Sequence, residues 1–323
     1  MTLNQLRTFL AVAETGSVRA AAQDLVVTQA AVSASLAALQ KSLGVALLER
    51  DGRGLRLTAA GEAYAVYVRR VLGLLDEAGR AAAAAADPER GELRIAAVTT
   101  AAEQILPGLL SGFRTRYPQL GVRLEAGNRD RVRGLLDRHQ VDLVLGGRPE
   151  PGWDVEVLAE RPHQLVVVAA PGLAASADAA APGGTRPDGS HLVPWLARQA
   201  WLLREPGSGT RAATDTLLTE LDIAPLTLLV GSNGAIRESA SVGLGVTLIS
   251  RDAVAAELAD GRLATLPVPG TPMHRDWYLV AHPGPLPPAA ARLAGHVLAH
   301  GGFHPPVTLS SAPPREANRQ AGS

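Results

Sequence analysis

The chain has 323 residues, with 31 basic and 31 acidic side chains and so no formal net charge at pH 7. That length predicts two domains with real cores. The charge balance excludes a globally basic nucleic-acid coat, so affinity for a polyanion must come from local patches. Cysteine is absent and the eight histidines lack metal-ligand spacing. A disulfide framework and a thiolate site are excluded, and no metal and no cofactor are expected. No apolar run approaches ~20 residues and no basic-then-apolar leader opens the chain. Neither a membrane span nor a signal peptide is expected, and a cytoplasmic location is.

Leu3, Leu6, Phe9, Leu10 and Val12 predict an amphipathic first helix. Ser17 can cap a short helix over 18–25, Val26 and Val27 form a tight apolar connection, and Thr28 can cap a helix over 29–43. In that last helix Val32, Leu36, Leu39 and Leu43 share one face. The opposite face carries Ala30, Ala34, Ala37 and Lys41 (the only lysine), flanked by Gln29 and Ser33. It is small, polar and nearly free of acid, which suits close approach to a duplex edge. The pattern reads as a helix-turn-helix, with an ordinary helical hairpin within a core as the other reading. Arg50-Asp51-Gly52-Arg53-Gly54 then turns between two apolar segments, a small hairpin with the form of a wing.

The run from Leu3 to Gly61, LNQLRTFLAVAETGSVRAAAQDLVVTQAAVSASLAALQKSLGVALLERDGRGLRLTAAG, resembles the N-terminal domain of the LysR-type transcriptional regulators. Gln40, Leu48 and Ala30 depart from the usual residues and read as packing variants. Base edges call for short polar groups and small apolar contacts, which Gln29, Ser33, Ala30 and Ala34 supply. Phosphates call for cations and helix starts, which Arg50, Lys41 and Thr28 supply. Arg53 at the wing tip suits a minor groove. A solvated charged turn is the other reading of the tip, since Glu49 and Asp51 dilute it.

Thr58 can cap a long helix to about residue 86, in which Tyr64, Val68, Val71, Leu75, Ala78, Ala82 and Ala85 form a heptad seam. Such a seam packs on a second copy's helix or on the chain's own core. Together with the resemblance it is read as a dimerisation helix. Asp87-Pro88-Glu89-Arg90-Gly91 ends it. From residue 92 strands and helices alternate, and the βαβαβ order predicts a parallel sheet with helices on both faces. Residues 174–190 are Ala/Gly/Pro-rich and predict a flexible loop.

Thr99 and Thr100 follow the first strand where a helix starts, a position that binds anions. Plain capping explains them equally well. Arg204-Glu205-Pro206-Gly207-Ser208-Gly209-Thr210-Arg211 joins a strand to a helix through glycines. It lacks the Gly-Lys-Ser/Thr of a P-loop and the first glycine of a nucleophile elbow, so it reads as an anion cradle. Arg148 after the third strand and Asn233 at a helix start join it. With no offsetting carboxylate cluster, these residues favour a small phosphorylated or carboxylate ligand.

This C-terminal part resembles the effector-binding domain of the same family, a fold similar to periplasmic solute-binding proteins. The resemblance implies two lobes joined by two crossing strands with ligand between them. The pieces Asn128-Arg129, Gly147-Arg148-Pro149 and 204–211 resemble the branch that regulates Calvin-cycle operons, whose effectors are phosphorylated sugars or a nicotinamide dinucleotide phosphate. The fold class expected is α/β with an N-terminal all-α winged helix-turn-helix and a two-lobed periplasmic-binding-protein-like effector domain. Its pieces are 1–58 for DNA, 59–90 for dimerisation and 91–302 for effector (lobes 91–162 plus 272–302, and 163–271), with 303–323 a disordered tail. The function expected is a regulator that binds double-stranded promoter or operator DNA and senses an anionic metabolite. Its assembly is a homodimer through the linker helix and a homotetramer through the effector domains. A solute-binding protein without a regulatory role is the alternative. No metal set, cofactor fingerprint or nucleophile–base spacing supports an enzyme.

Overall fold

The computed structural model describes residues 1–52, 54–87, 90–179 and 189–306. Helix α1 (Leu3–Thr15) opens with a capping box between Thr2 and Gln5, and α2 (Val18–Asp24) and α3 (Gln29–Leu43) open on the Ser17 and Thr28 side chains. Each cap satisfies an N–H that the helix start leaves free. Leu6, Phe9 and Val12 meet Val32, Leu36 and Leu39 in one core. The Gln40 Oε1 accepts from the N–H of Leu47 at 2.7 Å and of Leu48 at 3.3 Å. It ties α3 to β1 (Leu48–Asp51), which pairs antiparallel with β2 (Gly54–Leu57). The connection between α2 and α3 is the expected tight turn, with the N–H of Val27 bonded to the Ala22 carbonyl at 2.9 Å, and its valines face solvent. Val26 is 89% exposed and closes the turn at a left-handed φ of 56°.

Helix α4 (Ala59–Ala86) is capped by Thr58. Gly61 lets it pass Leu47, whose carbonyl oxygen would lie 2.0 Å from any Cβ there. The expected seam divides. Ala65 and Val68 are buried in the winged domain and Tyr64 lies 5.5 Å from Phe9, ring to ring, whereas Val71 and Leu75 are exposed. Farther along, α4 docks on the chain that follows. Gly73 abuts the Arg138 carbonyl, Glu77 meets His139 at 2.6 Å and Arg80 meets Asp142 at 3.3 Å.

The first lobe contains β3 (Glu92–Val98), α5 (Thr99–Gln104), α6 (Leu106–Arg116), β4 (Gly121–Gly127), α7 (Arg129–Asp137), β5 (Leu143–Gly146) and β6 (Glu156–Arg161). The chain crosses to β7 (Gln164–Ala169), α8 (Pro171–Ala179), α9 (Val193–Leu196), β8 (Trp201–Leu203), α10 (Gly209–Glu220) and β9 (Thr227–Leu229). It continues through α11 (Asn233–Ser241), β10 (Thr247–Ser250), α12 (Ala255–Ala259), β11 (Ala264–Leu266) and β12 (Met273–His274). It then returns as β13 (Trp277–Ala281) and α13 (Pro288–His300).

The first sheet runs β4-β3-β5-β13-β6, with β13 antiparallel to both neighbours. The expected all-parallel sheet is therefore mixed. A strand returning from the other lobe needs no crossover helix and enters in the reverse sense. The second lobe repeats the order: β9-β8 are parallel, a Trp201–Val246 bridge joins them to β10, and β10-β7-β11 are antiparallel about β7. Strand β12 also pairs with β7, so the second lobe continues through His274 rather than ending near Thr271.

Two expected irregular stretches differ. Residues 171–179 are helical, so the loop expected from 174 is α8 for its first six residues, and 180–188 lie outside the described residues. Phe303 is buried in the first lobe's core and His304 exchanges two backbone hydrogen bonds with Glu160, so the tail does not begin at 303. Residues 307–323 lie outside the described ones. Among the described residues no single helix is long and apolar enough to cross a membrane.

A β-branched residue held left-handed costs about 1–2 kcal/mol, and asparagine tolerates that conformation. Val26→Asn is therefore expected to stabilise the protein by roughly 1 kcal/mol, read as a raised urea midpoint at unchanged slope. A lowered midpoint would show that the strain at this turn is not costly.

Candidate functional site

The outer face of α3 is open: Thr28, Gln29, Ala30, Ser33, Ala34 and Lys41 are all exposed. Thr28 Oγ1 accepts from the N–H of Ala31 at 3.2 Å. Lys41 sits in the helix's last turn, at the far end from Thr28. Arg50 is exposed on β1 with Leu55 opposite it, while Arg56 is tied to Glu49 at 2.5 Å. Arg53 lies outside the described residues. A fully capped helix with a bare face of small polar side chains presents hydrogen-bonding groups at fixed spacing, which is what a major groove accepts.

Between the lobes lies a cavity of about 490 Å³. Three helix starts open onto it: Thr99 and Thr100 of α5, Asn128 and Arg129 of α7, and Ser208, Gly209 and Thr210 of α10. Thr99 Oγ1 donates to the Gly127 carbonyl at 3.3 Å, while Asn128 and Ser208 cap their helices. The parallel strands of both sheets end here, so each following helix points its N–H groups inward.

The charges are more balanced than the chain suggests. Arg204 is 4% exposed and is held by both oxygens of Glu205, at 2.7 and 2.8 Å, and by the Asn233 Oδ1. The Arg204 hydrogen bonds keep the Glu205 carboxyl below the usual carboxylate range. Glu150, Glu205 and Asp276 all line the cavity, so the expected absence of offsetting carboxylates is corrected. Glu205 reads in the sequence only as part of the cradle, and Glu150 and Asp276 follow Arg148 and Arg275 closely in the chain but carry no motif that places them in the cleft. Glu150 is shared by Arg129 at 3.3 Å and Arg133. Arg275 lines the cavity with no acidic partner among the described residues. Desolvation and then the neighbouring Arg129 guanidinium hold it below the ordinary arginine range. Arg148 donates from Nε to the Tyr278 hydroxyl at 3.4 Å, a bond that raises its pKa.

Two expected residues are not in the cavity wall. Arg211 turns back to Asp215, with Nε 2.9 Å from both carboxylate oxygens, because the helix brings residues four apart together. Asn233 is buried behind Arg204. Its Nδ2 donates to Thr100 Oγ1 at 2.8 Å, so it clamps the second lobe to the first. Conversely His163, Arg275 and Tyr278 line the cavity and were not singled out. They sit on or beside the crossing segments, where no local motif marks them. His163 Nδ1 donates to the Arg275 carbonyl and its Nε2 faces the Ser250 hydroxyl, each at 2.8 Å. Burial lowers its pKa.

Residues 3–62 match the bacterial regulatory helix-turn-helix protein, lysR family, and residues 86–302 match the LysR substrate binding domain. The chain belongs to the LysR family of transcriptional regulators. LysR-family relatives include the HTH-type transcriptional regulator CbbR of Xanthobacter flavus, 38% identical over 86% of this chain and 81% of that one. The RuBisCO operon transcriptional regulator of Acidithiobacillus ferrooxidans is 35% identical over 86% of this chain and 87% of its own. The crystal structure of full-length CbnR complexed with target DNA matches with a TM-score of 0.64 and 26% identity, over 93% of this chain and 99% of that one. This LysR-family chain thus resembles the branch of carbon-fixation regulators. It is a regulator and not an enzyme, and its helix-turn-helix disfavours the solute-binding alternative.

Removing Asn233 leaves buried Arg204 and Thr100 each short of a partner, at about 1–3 kcal/mol for the unmet groups. Asn233→Ala is expected to lower unfolding free energy by that order in urea; an unchanged midpoint would mean that water replaces the amide. The His163 pKa is depressed on folding, so its contribution is full above the ordinary imidazole pKa and is lost as pH falls below it, when only the unfolded chain takes the proton. His296 acts in the same direction. Between pH 6.5 and 5.5, His163→Gln is expected to flatten the stability profile, by at most about 1.4 kcal/mol per pH unit. A profile parallel to wild type would sink the assignment.

Proposed function

We propose that the protein binds operator DNA as a dimer, and that an anionic metabolite held between the lobes changes the geometry of that complex. The observation that carries the effector half is Arg275, without an acidic partner, beside Arg129 in a cavity onto which three helix starts open. An oxyanion there converts repulsion between guanidiniums into charge-assisted hydrogen bonds, and the helix starts add N–H donors. The volume suits a metabolite. A phosphate or carboxylate would also compete with Glu205 for Arg204. Arg204 is bonded to Asn233, and Asn233 to Thr100 across the lobes, so ligand occupancy shifts the population of lobe arrangements.

On the DNA side, Gln29 and Ser33 read base edges, Ala30 and Ala34 meet thymine methyls, and Lys41, Arg50 and the Thr28 helix start hold phosphates. Arg53 enters the minor groove. The exposed stripe of Val71, Leu74 and Leu75 on α4 is what a second copy's helix would cover, and effector domains pair to complete a tetramer. Likeness to a RuBisCO operon regulator makes a carbon-fixation operon the first target to test, and a cytoplasmic location accords with that role.

Gel-shift titration with the protein's own upstream intergenic DNA tests both halves. Wild type is expected to bind sequence-selectively, with log affinity falling against log salt by about 0.9 per phosphate contacted. Gln29→Ala is expected to lose about 1–3 kcal/mol on that duplex alone. A panel of phosphorylated and carboxylated metabolites should contain one that alters the footprint, and Arg275→Gln should need at least about tenfold more of it. No selectivity at any salt would overturn the DNA reading, and an unchanged Arg275→Gln response would move the effector out of this cleft.

A further inference from the structure

A second cavity, of about 1170 Å³, opens between the winged domain, α4 and the first lobe. Its carboxylates are already committed. Asp76 meets Arg80 at 2.7 Å and Arg94 at 3.3 Å, Glu125 meets Arg131 at 3.2 Å, and Glu14 meets Arg69 at 3.8 Å. Three lining guanidiniums remain: Arg7 on α1, Arg123 on β4 and Arg138 just after α7. Among the described residues no carboxylate lies within ion-pair distance of any of them. In a chain with no net charge, three cations outside any ion pair in one groove, with only the longer-range fields of Asp137 and Glu14 on Arg138, form a local positive field that concentrates anions.

We propose that this groove binds a small polyvalent oxyanion of the pyrophosphate class, which bridges Arg7 of the winged domain to Arg123 and Arg138 of the first lobe. Both walls are protein, and the groove is roomy enough to take a small anion with part of its hydration shell. Arginine presents paired N–H donors that match phosphate oxygens. Burial, and then the neighbouring Arg69 guanidinium, hold Arg138 below the ordinary arginine range, the state that a bound anion relieves. The groove joins the DNA-binding domain to the effector domain, so its occupant fixes the angle between them whatever the interlobe cleft holds. The site is independent of that cleft.

Titration calorimetry of the full chain with inorganic pyrophosphate, at ionic strength held constant with sodium chloride, tests the site. Arg123→Gln/Arg138→Gln is expected to weaken one binding event at least tenfold, and Arg275→Gln to leave that event intact. Arg7→Gln, a change on an exposed helix position, is expected to weaken it at least threefold without disturbing the fold. Binding unchanged in both groove variants, or an event that only Arg275→Gln removes, overturns the proposal. So does an Arg7→Gln variant that loses duplex affinity while pyrophosphate gives no groove-dependent heat, because the groove would then serve DNA phosphates.

Discussion

Arg275 donates its backbone N–H to the His163 carbonyl at 2.9 Å, and the His163 ring returns a bond to the Arg275 carbonyl. These two residues stand where the chain crosses between its lobes, once in each direction. Their pairing fixes how the two sheets face each other. Each sheet receives one antiparallel strand by that route, β7 in the second lobe and β13 in the first. The parallel strands of both sheets therefore end at a common cleft, and α5, α7 and α10 begin there. The concentration of helix starts in one place is a consequence of topology rather than of any residue in the cleft.

Arginine supplies nearly all the cations, and its planar fork shapes the electrostatics. It engages carboxylates through two bonds at once, as Arg204 does with Glu205. Other arginines make single ion pairs, as Arg131 does with Glu125, or share one acid, as Arg129 and Arg133 share Glu150. A guanidinium without an acid is then informative because its neighbours have theirs. Arg275 in the cleft and Arg138 between domains stand out on that ground, and both are partly desolvated beside another arginine.

The linker helix serves two masters along roughly 42 Å of length. Its first turns complete the winged domain, with Val68 and Ala65 inside that core. Its later turns lie against the first lobe at Gly73, Glu77 and Arg80. Between these contacts Val71, Leu74 and Leu75 stay bare. One helix thereby touches the DNA-reading unit, the ligand-binding unit and an open apolar stripe, so a change of angle at any of them is felt by the others.

Local order was readable because it rests on neighbours in the chain. The Thr28 cap, the apolar face Val32-Leu36-Leu39 and the turn between β1 and β2 need only spacing and residue type, and so do the strand ends at Thr99 and Ser208. The reach of a single helix or turn sets the limit. Tyr64 and Val68 looked like part of a seam for another molecule, yet Phe9, more than fifty positions earlier, claims them. Phe303 looked like the start of a tail, yet β6 binds its neighbour His304. Arg211 resembled a cleft cation until Asp215, one turn away, took it, and Asn233 proved to be the clamp behind Arg204. His163 and Arg275 carry no motif at all, for they matter only because two distant crossings meet. Periodicity and caps are decided within a turn or two of chain; which charge is neutralised, which apolar face is covered and what lines a cleft depend on contacts that exist only once the chain has closed on itself.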